Sequence, residues 1–136
     1  MILVDSGPLI AIIDQADKYH NQCVAISKRL PVAPFVTTWP CLTESMHFLG
    51  RVGGFPVQQN LWELVKRGVL LLDSLTDKEI GRMAHLMDVY QNVPMDIADA
   101  SLIVKAETLG LTHLFTIDSD FYIYRMKDSH ILLPYE

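Results

Sequence analysis

The stretch Ile2-Leu3-Val4-Asp5-Ser6-Gly7-Pro8-Leu9 changes element within eight residues. Its three consecutive aliphatic residues predict a short buried strand ending at Asp5. Ser6 can cap a helix and Pro8 suits a first helical turn. Leu9, Ile10, Ile12 and Ile13 then read as the apolar residues of a helix running to Asp14. A strand this short that feeds straight into a helix begins a crossover connection between parallel strands.

The rest of the chain repeats that alternation. A helix is predicted from about Lys18 to Leu30, burying Cys23, Val24 and Ile26 and stopped by Pro31. Ala33 to Thr37 predicts a second strand. Thr38-Trp39-Pro40 opens a helix carrying Leu42, Met46, Phe48 and Leu49, which Gly53-Gly54 breaks. Phe55-Pro56 opens another through Leu61, Trp62, Leu64 and Val65, before a strand at Val69 to Leu72. Thr76 and Glu79 have capping-box spacing for a helix through Met83, Leu86, Met87 and Tyr90. Pro94 to Leu109 predicts a further helix, ended by Gly110 in the C′ place. Leu114 to Ile117 and Ile131 to Leu133 complete five strands. Short apolar strands alternating with helices specify an α/β protein, a parallel sheet covered on both faces. Right-handed crossovers narrow this to a doubly wound three-layer α/β/α sandwich.

Composition bounds the answer further. The chain has 136 residues, half of them hydrophobic and 20% charged. That suits one domain, residues 1–136, and excludes disorder. The longest uncharged stretch, from Leu30 up to Glu44, contains three prolines and is too short to span a bilayer. No basic segment precedes the first apolar run, so neither signal peptide nor anchor is expected, and a cytoplasmic location is. Cys23 and Cys41 have no metal-ligand spacing and read as reduced packing residues. A net charge of −5 does not exclude a nucleic-acid partner, because acids gathered in one metal site lower the total without describing the rest of the surface. Eleven of the sixteen acids are Asp, a bias whose positions need an explanation.

In open α/β sheets the site lies beyond the carboxyl ends of the strands. Asp5 ends the first strand, Asp118 ends the fourth, and Asp120 follows two residues later. Asp96 and Asp99 lie three apart at the start of the helix from Pro94, on one helical face. Glu44 sits early in the helix after the second strand. Any one of these acids could be an ordinary helix cap. Asp99 resists that reading. Ala98-Asp99-Ala100-Ser101-Leu102-Ile103-Val104 is small and apolar on nearly every side, and a buried carboxylate without a cationic neighbour is rare. Converging acids need protonation or a cation. An all-oxygen donor set points to Mg2+ or Mn2+ and not to zinc.

The residues Val4-Asp5-Ser6-Gly7-Pro8-Leu9, Thr43-Glu44-Ser45, Asp99-Ala100-Ser101-Leu102-Ile103-Val104-Lys105-Ala106 and Thr116-Ile117-Asp118-Ser119-Asp120-Phe121 follow one another in order along the chain. As a set they resemble PIN-domain proteins, and within that group the VapC-type toxin ribonucleases. The resemblance implies a five-stranded parallel sheet ordered 3-2-1-4-5. It places the family's acidic quartet on Asp5, Glu44, Asp99 and Asp118. Asp96 and Asp120 would support these ligands or hold a second ion. Thr116 and Ser6 could orient a carboxylate or a metal-bound water, although for Ser6 ordinary capping is the preferred reading.

The resemblance also implies a metal-dependent endoribonuclease that hydrolyses RNA phosphodiesters with Mg2+ or Mn2+, the toxin of a type II toxin-antitoxin pair. Asp5, Asp99 and Asp118 would hold the metal, and Glu44 would orient the attacking water or complete a second ion's shell. A homodimer and an antitoxin partner are implied too. Arg51, before Gly53-Gly54, is the candidate RNA contact; Lys28-Arg29 and Lys66-Arg67 read as helix-end cations. Exposed side chains among Leu9, Ile12, Ile13, Trp39 and Phe48 would be interface candidates.

The alternatives lack their motifs. No second acid stands two residues after Asp5, as a haloacid-dehalogenase phosphatase requires. The acidic pair and late lysine of a phosphoacceptor receiver are absent, and so are P-loop, Rossmann and nucleophile-elbow fingerprints. The five histidines form no ligand spacing. The remaining rival is a catalytically silent PIN-like module that binds RNA or protein.

Overall fold

Strand β1, Ile2–Val4, divides its side chains between two hydrophobic cores. Ile2 and Val4 enter one and Leu3 the other, as the twofold period of a strand dictates. The computed structural model describes residues 1–136. Along the chain β1 is followed by α1 (Ser6–Ile13), α2 (His20–Arg29), β2 (Phe35–Thr38), α3 (Trp39–Gly53), α4 (Phe55–Lys66) and β3 (Leu70–Asp73). Then come α5 (Asp77–Val89), α6 (Ile97–Leu109), β4 (His113–Phe115), a 3-10 turn at Ser119–Tyr122 and β5 (Leu133–Pro134).

All four strand pairings are parallel, and the order is β3-β2-β1-β4-β5. Leu9 of α1, Ile26 of α2, Leu49 of α3 and Leu61 of α4 fill the core on one face of the sheet, with Phe115. Met83 and Leu86 of α5 and Leu102 and Ile103 of α6 fill the other, with Leu114. The three-layer sandwich and its strand order are those expected. Removing a buried leucine such as Leu3 or Leu102 would cost roughly 2–5 kcal/mol.

The local signals explain most element ends. Thr76 accepts from the Glu79 N–H at 3.2 Å while the Glu79 carboxylate accepts from the Thr76 N–H at 3.0 Å, the reciprocal box its spacing predicted. Gly110 ends α6 at φ 67°, a left-handed conformation that suits glycine.

Three expectations need correction. Helix α6 starts at Ile97, because Pro94 and Met95 belong to the turn after α5, where the Met95 N–H bonds to the Tyr90 carbonyl. Asp96 is therefore the cap of α6 and not a residue of its first turn, although the capping box keeps it beside Asp99. Strand β5 lies two residues later than Ile131. Leu133 and Tyr135 donate to Thr112 and Leu114, and Pro134 falls between them, where a parallel edge strand needs no donor. Finally, Asp5 caps α1 and not Ser6. No helix is long and apolar enough to cross a membrane.

Candidate functional site

The strand order reverses between β1 and β4, so the two segments leaving those strands meet at the switch point. Asp5 follows β1 directly, and its N–H extends the ladder to the Phe115 carbonyl at 2.9 Å. Its side chain is 7% exposed. One carboxylate oxygen accepts the Ser6 N–H at 2.7 Å and the other accepts the Thr116 hydroxyl at 2.8 Å. Thr116 also accepts from the Asp118 N–H at 3.0 Å, so the fourth-strand segment is fastened to the first acid.

Ser6, the first residue of α1, has a role other than capping. Its hydroxyl donates to Glu44 Oε1 at 2.6 Å, joining α1 to α3. Glu44 itself is exposed. Asp99 is buried and occupies the third position of α6, where its N–H bonds to Asp96 Oδ1 at 2.8 Å and its own carboxylate accepts weakly from the Asp96 N–H at 3.4 Å. The positive end of the helix favours both acids. Thr38 at the end of β2 and Ser101 share a 2.6 Å hydrogen bond that seats the start of α6 against the sheet. Asp118 caps the 3-10 turn by accepting the Asp120 N–H at 2.9 Å, and both acids are half-buried.

These placements shift the acids together. Burial raises the Asp5 carboxyl to about 6, and the charges of Glu44 and Asp118 push the same way against the Thr116 and Ser6 hydrogen bonds. Burial raises Asp99 to about 7, helped by the charges of Asp96 and Asp5 and opposed by a hydrogen bond from Tyr124. No lysine or arginine forms an ion pair with any of the six site acids. The buried Lys105, six residues after Asp99, is taken by Glu79 at 2.9 Å and Asp73 at 3.5 Å.

The site thus holds excess buried negative charge and only oxygen donors, and that donor set fits a hard divalent cation. The fit is one of chemistry and charge. No three His, Cys, Asp or Glu side chains are drawn round a single point. Asp5 and Asp99 are the buried members, while Glu44 and Asp118 stand closer to solvent.

Arg51 lies in the last turn of α3, exposed and without an ion pair, two helical turns and roughly 10 Å beyond Glu44. Two open clefts border the more exposed acids Glu44 and Asp118. One, of about 730 Å³, is lined by Trp39, Glu44, His47, Ile80 and Ile97. The other, of about 480 Å³, is lined by Gln22, Arg29, Asp118, Tyr122 and Tyr135. Among the apolar residues singled out in the sequence, Leu9 is buried and Ile12 and Ile13 pack on the core, whereas Trp39 and Phe48 remain exposed.

The site also contains a residue with no local sequence signal. Tyr124 is fully buried and donates its hydroxyl to Asp99 Oδ2 at 3.1 Å.

A parallel 3-2-1-4-5 sheet sandwiched by helices, with acids at its switch point, is the architecture of the PIN fold. Two solved structures share it. The chain is similar to VapC20 of Mycobacterium tuberculosis, a sarcin-ricin loop cleaving toxin, with a TM-score of 0.83 and 17% identity over 90% of this chain and 94% of the other. It is also similar to FitAcB from Neisseria gonorrhoeae, with a TM-score of 0.62 and 14% identity over 88% of each chain. At these identities the likeness is one of fold. No protein-family model matches the chain, and no curated protein matches it in sequence.

Proposed function

We propose that the protein is a divalent-metal-dependent endoribonuclease, the toxin of a type II toxin-antitoxin pair. The observation that carries this reading is the pair of buried carboxylates, Asp5 and Asp99, raised by burial and by neighbouring acids and left without a cationic partner. A scaffold would gain stability by losing such charges.

In this reading Asp5, Asp99 and Asp118 hold Mg2+ or Mn2+. When bound, the ion lowers the pKa of a water nucleophile and offsets the charge of the scissile phosphate. Glu44, exposed and braced by Ser6, orients the attacking water or helps hold a second ion. Thr116 keeps Asp5 in place, and Asp96 and Asp120 support Asp99 and Asp118. Arg51 contacts an RNA phosphate. The similarity to VapC20 adds the sarcin-ricin loop as a first RNA to try. An antitoxin and a second copy of the chain are the proposed protein partners, with exposed Trp39 and Phe48 available to such interfaces.

One observation favours a second reading, that of an RNA- or protein-binding module without activity: the acids do not close round one point. A single experiment separates the two. Labelled structured RNA, including a sarcin-ricin loop oligonucleotide, is incubated with the protein in Mg2+, Mn2+ or EDTA, with Asp5→Asn in parallel. Metal-dependent cutting that Asp5→Asn loses is the expected result. No cutting together with no heat of metal binding would leave the binding module.

A further inference from the structure

We propose that Tyr124 is a positioning residue that commits one oxygen of Asp99 to the protein and leaves the other for a ligand. The inference rests on the metal-site reading above. Both donors to the Asp99 carboxylate fall on the same oxygen: the Tyr124 hydroxyl at 3.1 Å and the Asp96 N–H at 3.4 Å both reach Oδ2. Oδ1 accepts from no group of the protein.

The hydroxyl has little freedom to do otherwise. Tyr124 is 0% exposed, and its ring packs edge-on against Tyr90 and Phe121 at centroid distances of 5.2 and 5.3 Å. A phenylalanine would fill the same space. The oxygen is therefore not needed for packing, and a buried hydroxyl is tolerated only where it finds a partner. Here it finds an acid that no cation neutralises, and a hydrogen bond to a charged acceptor is the stronger kind.

The contact has a second effect. Tyr124 follows the 3-10 turn that Asp118 caps, and Phe121 within that turn is also buried. The segment bearing Asp118 and Asp120 is thereby fastened to the helix bearing Asp99. Two candidate ligands on separate elements are held in one fixed relation, which is what the residues behind a metal's ligands supply.

The test is calorimetric titration of the full chain with Mn2+ and with Mg2+, for the parent, Tyr124→Phe and Tyr90→Phe. Tyr90 belongs to the same aromatic cluster, and its hydroxyl accepts from the Arg125 N–H at 2.9 Å without touching an acid. Tyr124→Phe is expected to weaken Mn2+ binding roughly tenfold while Tyr90→Phe leaves it within twofold. Equal Kd values for the parent and Tyr124→Phe overturn the proposal and leave the metal reading standing. Equal weakening in both variants, or a Tyr124→Phe protein that does not fold, assigns the hydroxyl to the scaffold and also overturns it. A parent that binds neither ion removes the metal reading, and the proposal with it.

Discussion

The Ser6 hydroxyl donates to Glu44 Oε1 at 2.6 Å and lies 3.3 Å from Asp5 Oδ1, so one small side chain joins two acids that are distant in sequence. If Glu44 orients water and does not hold the ion, Ser6→Ala should lower RNA cleavage about tenfold and change Mn2+ affinity little. Stability should fall by only about 1 kcal/mol, because Glu44 is exposed and regains water. Cleavage rates and metal titrations on the same preparation check the split. A matching loss in metal affinity would make Glu44 a ligand.

The raised acids set a pH dependence. Asp5 and Asp99 titrate near 6 and 7 in the folded protein against 3.8 ordinarily, so the folded state keeps protons that the unfolded chain releases. Their stabilising effect is complete below about pH 4 and is lost as pH rises through about 6 and 7. At about 1.4 kcal/mol per tenfold change in proton affinity, Asp5 alone accounts for on the order of 3 kcal/mol. Glu79 has the opposite sign. Burial would raise it, but hydrogen bonds from Lys105, the Thr76 backbone and Thr108 hold it down to about 2, so its contribution is lost as pH falls from 4.5 towards 2. In EDTA, Tm should peak near pH 4–5 and fall towards pH 7.5, and Mn2+ should restore it at pH 7.5. Scanning calorimetry across that range is the check; a flat profile above pH 5 would remove the clustered-acid account.

Asp99→Asn keeps an oxygen for the Tyr124 hydroxyl and removes the charge. At pH 7.5 without metal it should raise Tm by roughly 3–5 °C, about 1 kcal/mol. The same variant should lose the metal-induced rise. A lower Tm in EDTA would mean that the carboxylate's own hydrogen bonds outweigh the repulsion.

Lys105 provides a control away from the site acids. It is 2% exposed, and its ammonium bonds to the Ser74 carbonyl at 2.6 Å as well as to Glu79. Lys105→Met would strand the Glu79 carboxylate and should cost about 3–5 kcal/mol in urea unfolding. Metal affinity per folded molecule should stay unchanged.

Arg51→Ala should weaken binding of an RNA oligonucleotide severalfold and flatten its salt dependence by about one ion. The measurement is fluorescence anisotropy at several salt concentrations in the Asp5→Asn background, where no cleavage intrudes. An unchanged slope would take Arg51 out of the RNA path.

The strand-helix alternation was legible because a strand buried on both faces is a continuous apolar run, and Ile2-Leu3-Val4 and Leu114-Phe115 are such runs. The acids were legible by their position after strands and by the apolar surroundings of Asp99. What escaped depended on contacts the linear chain does not display. Ser6 read as a cap because its neighbour's competing claim to that role became visible only with Asp5 in place. Asp96 read as a helical residue because the turn holding Pro94 and Met95 is stabilised by Tyr90, the cap that ends the preceding helix. Tyr124 had no local signal, since its partner lies 25 residues away and the two meet only through the packing of the last segment on α6.

Thr116 carries one hydroxyl proton and gives it to Asp5, so towards the Asp118 N–H it can act only as an acceptor. The hydrogen bonds therefore run in one direction, from the backbone at Asp118 through the hydroxyl to Asp5. Such a relay limits which residues can occupy the position. Serine preserves both ends, valine keeps the shape and severs both, and asparagine would have to fit a larger amide into a buried place. A single oxygen thus makes this position far less permissive than its place just past a strand end would suggest.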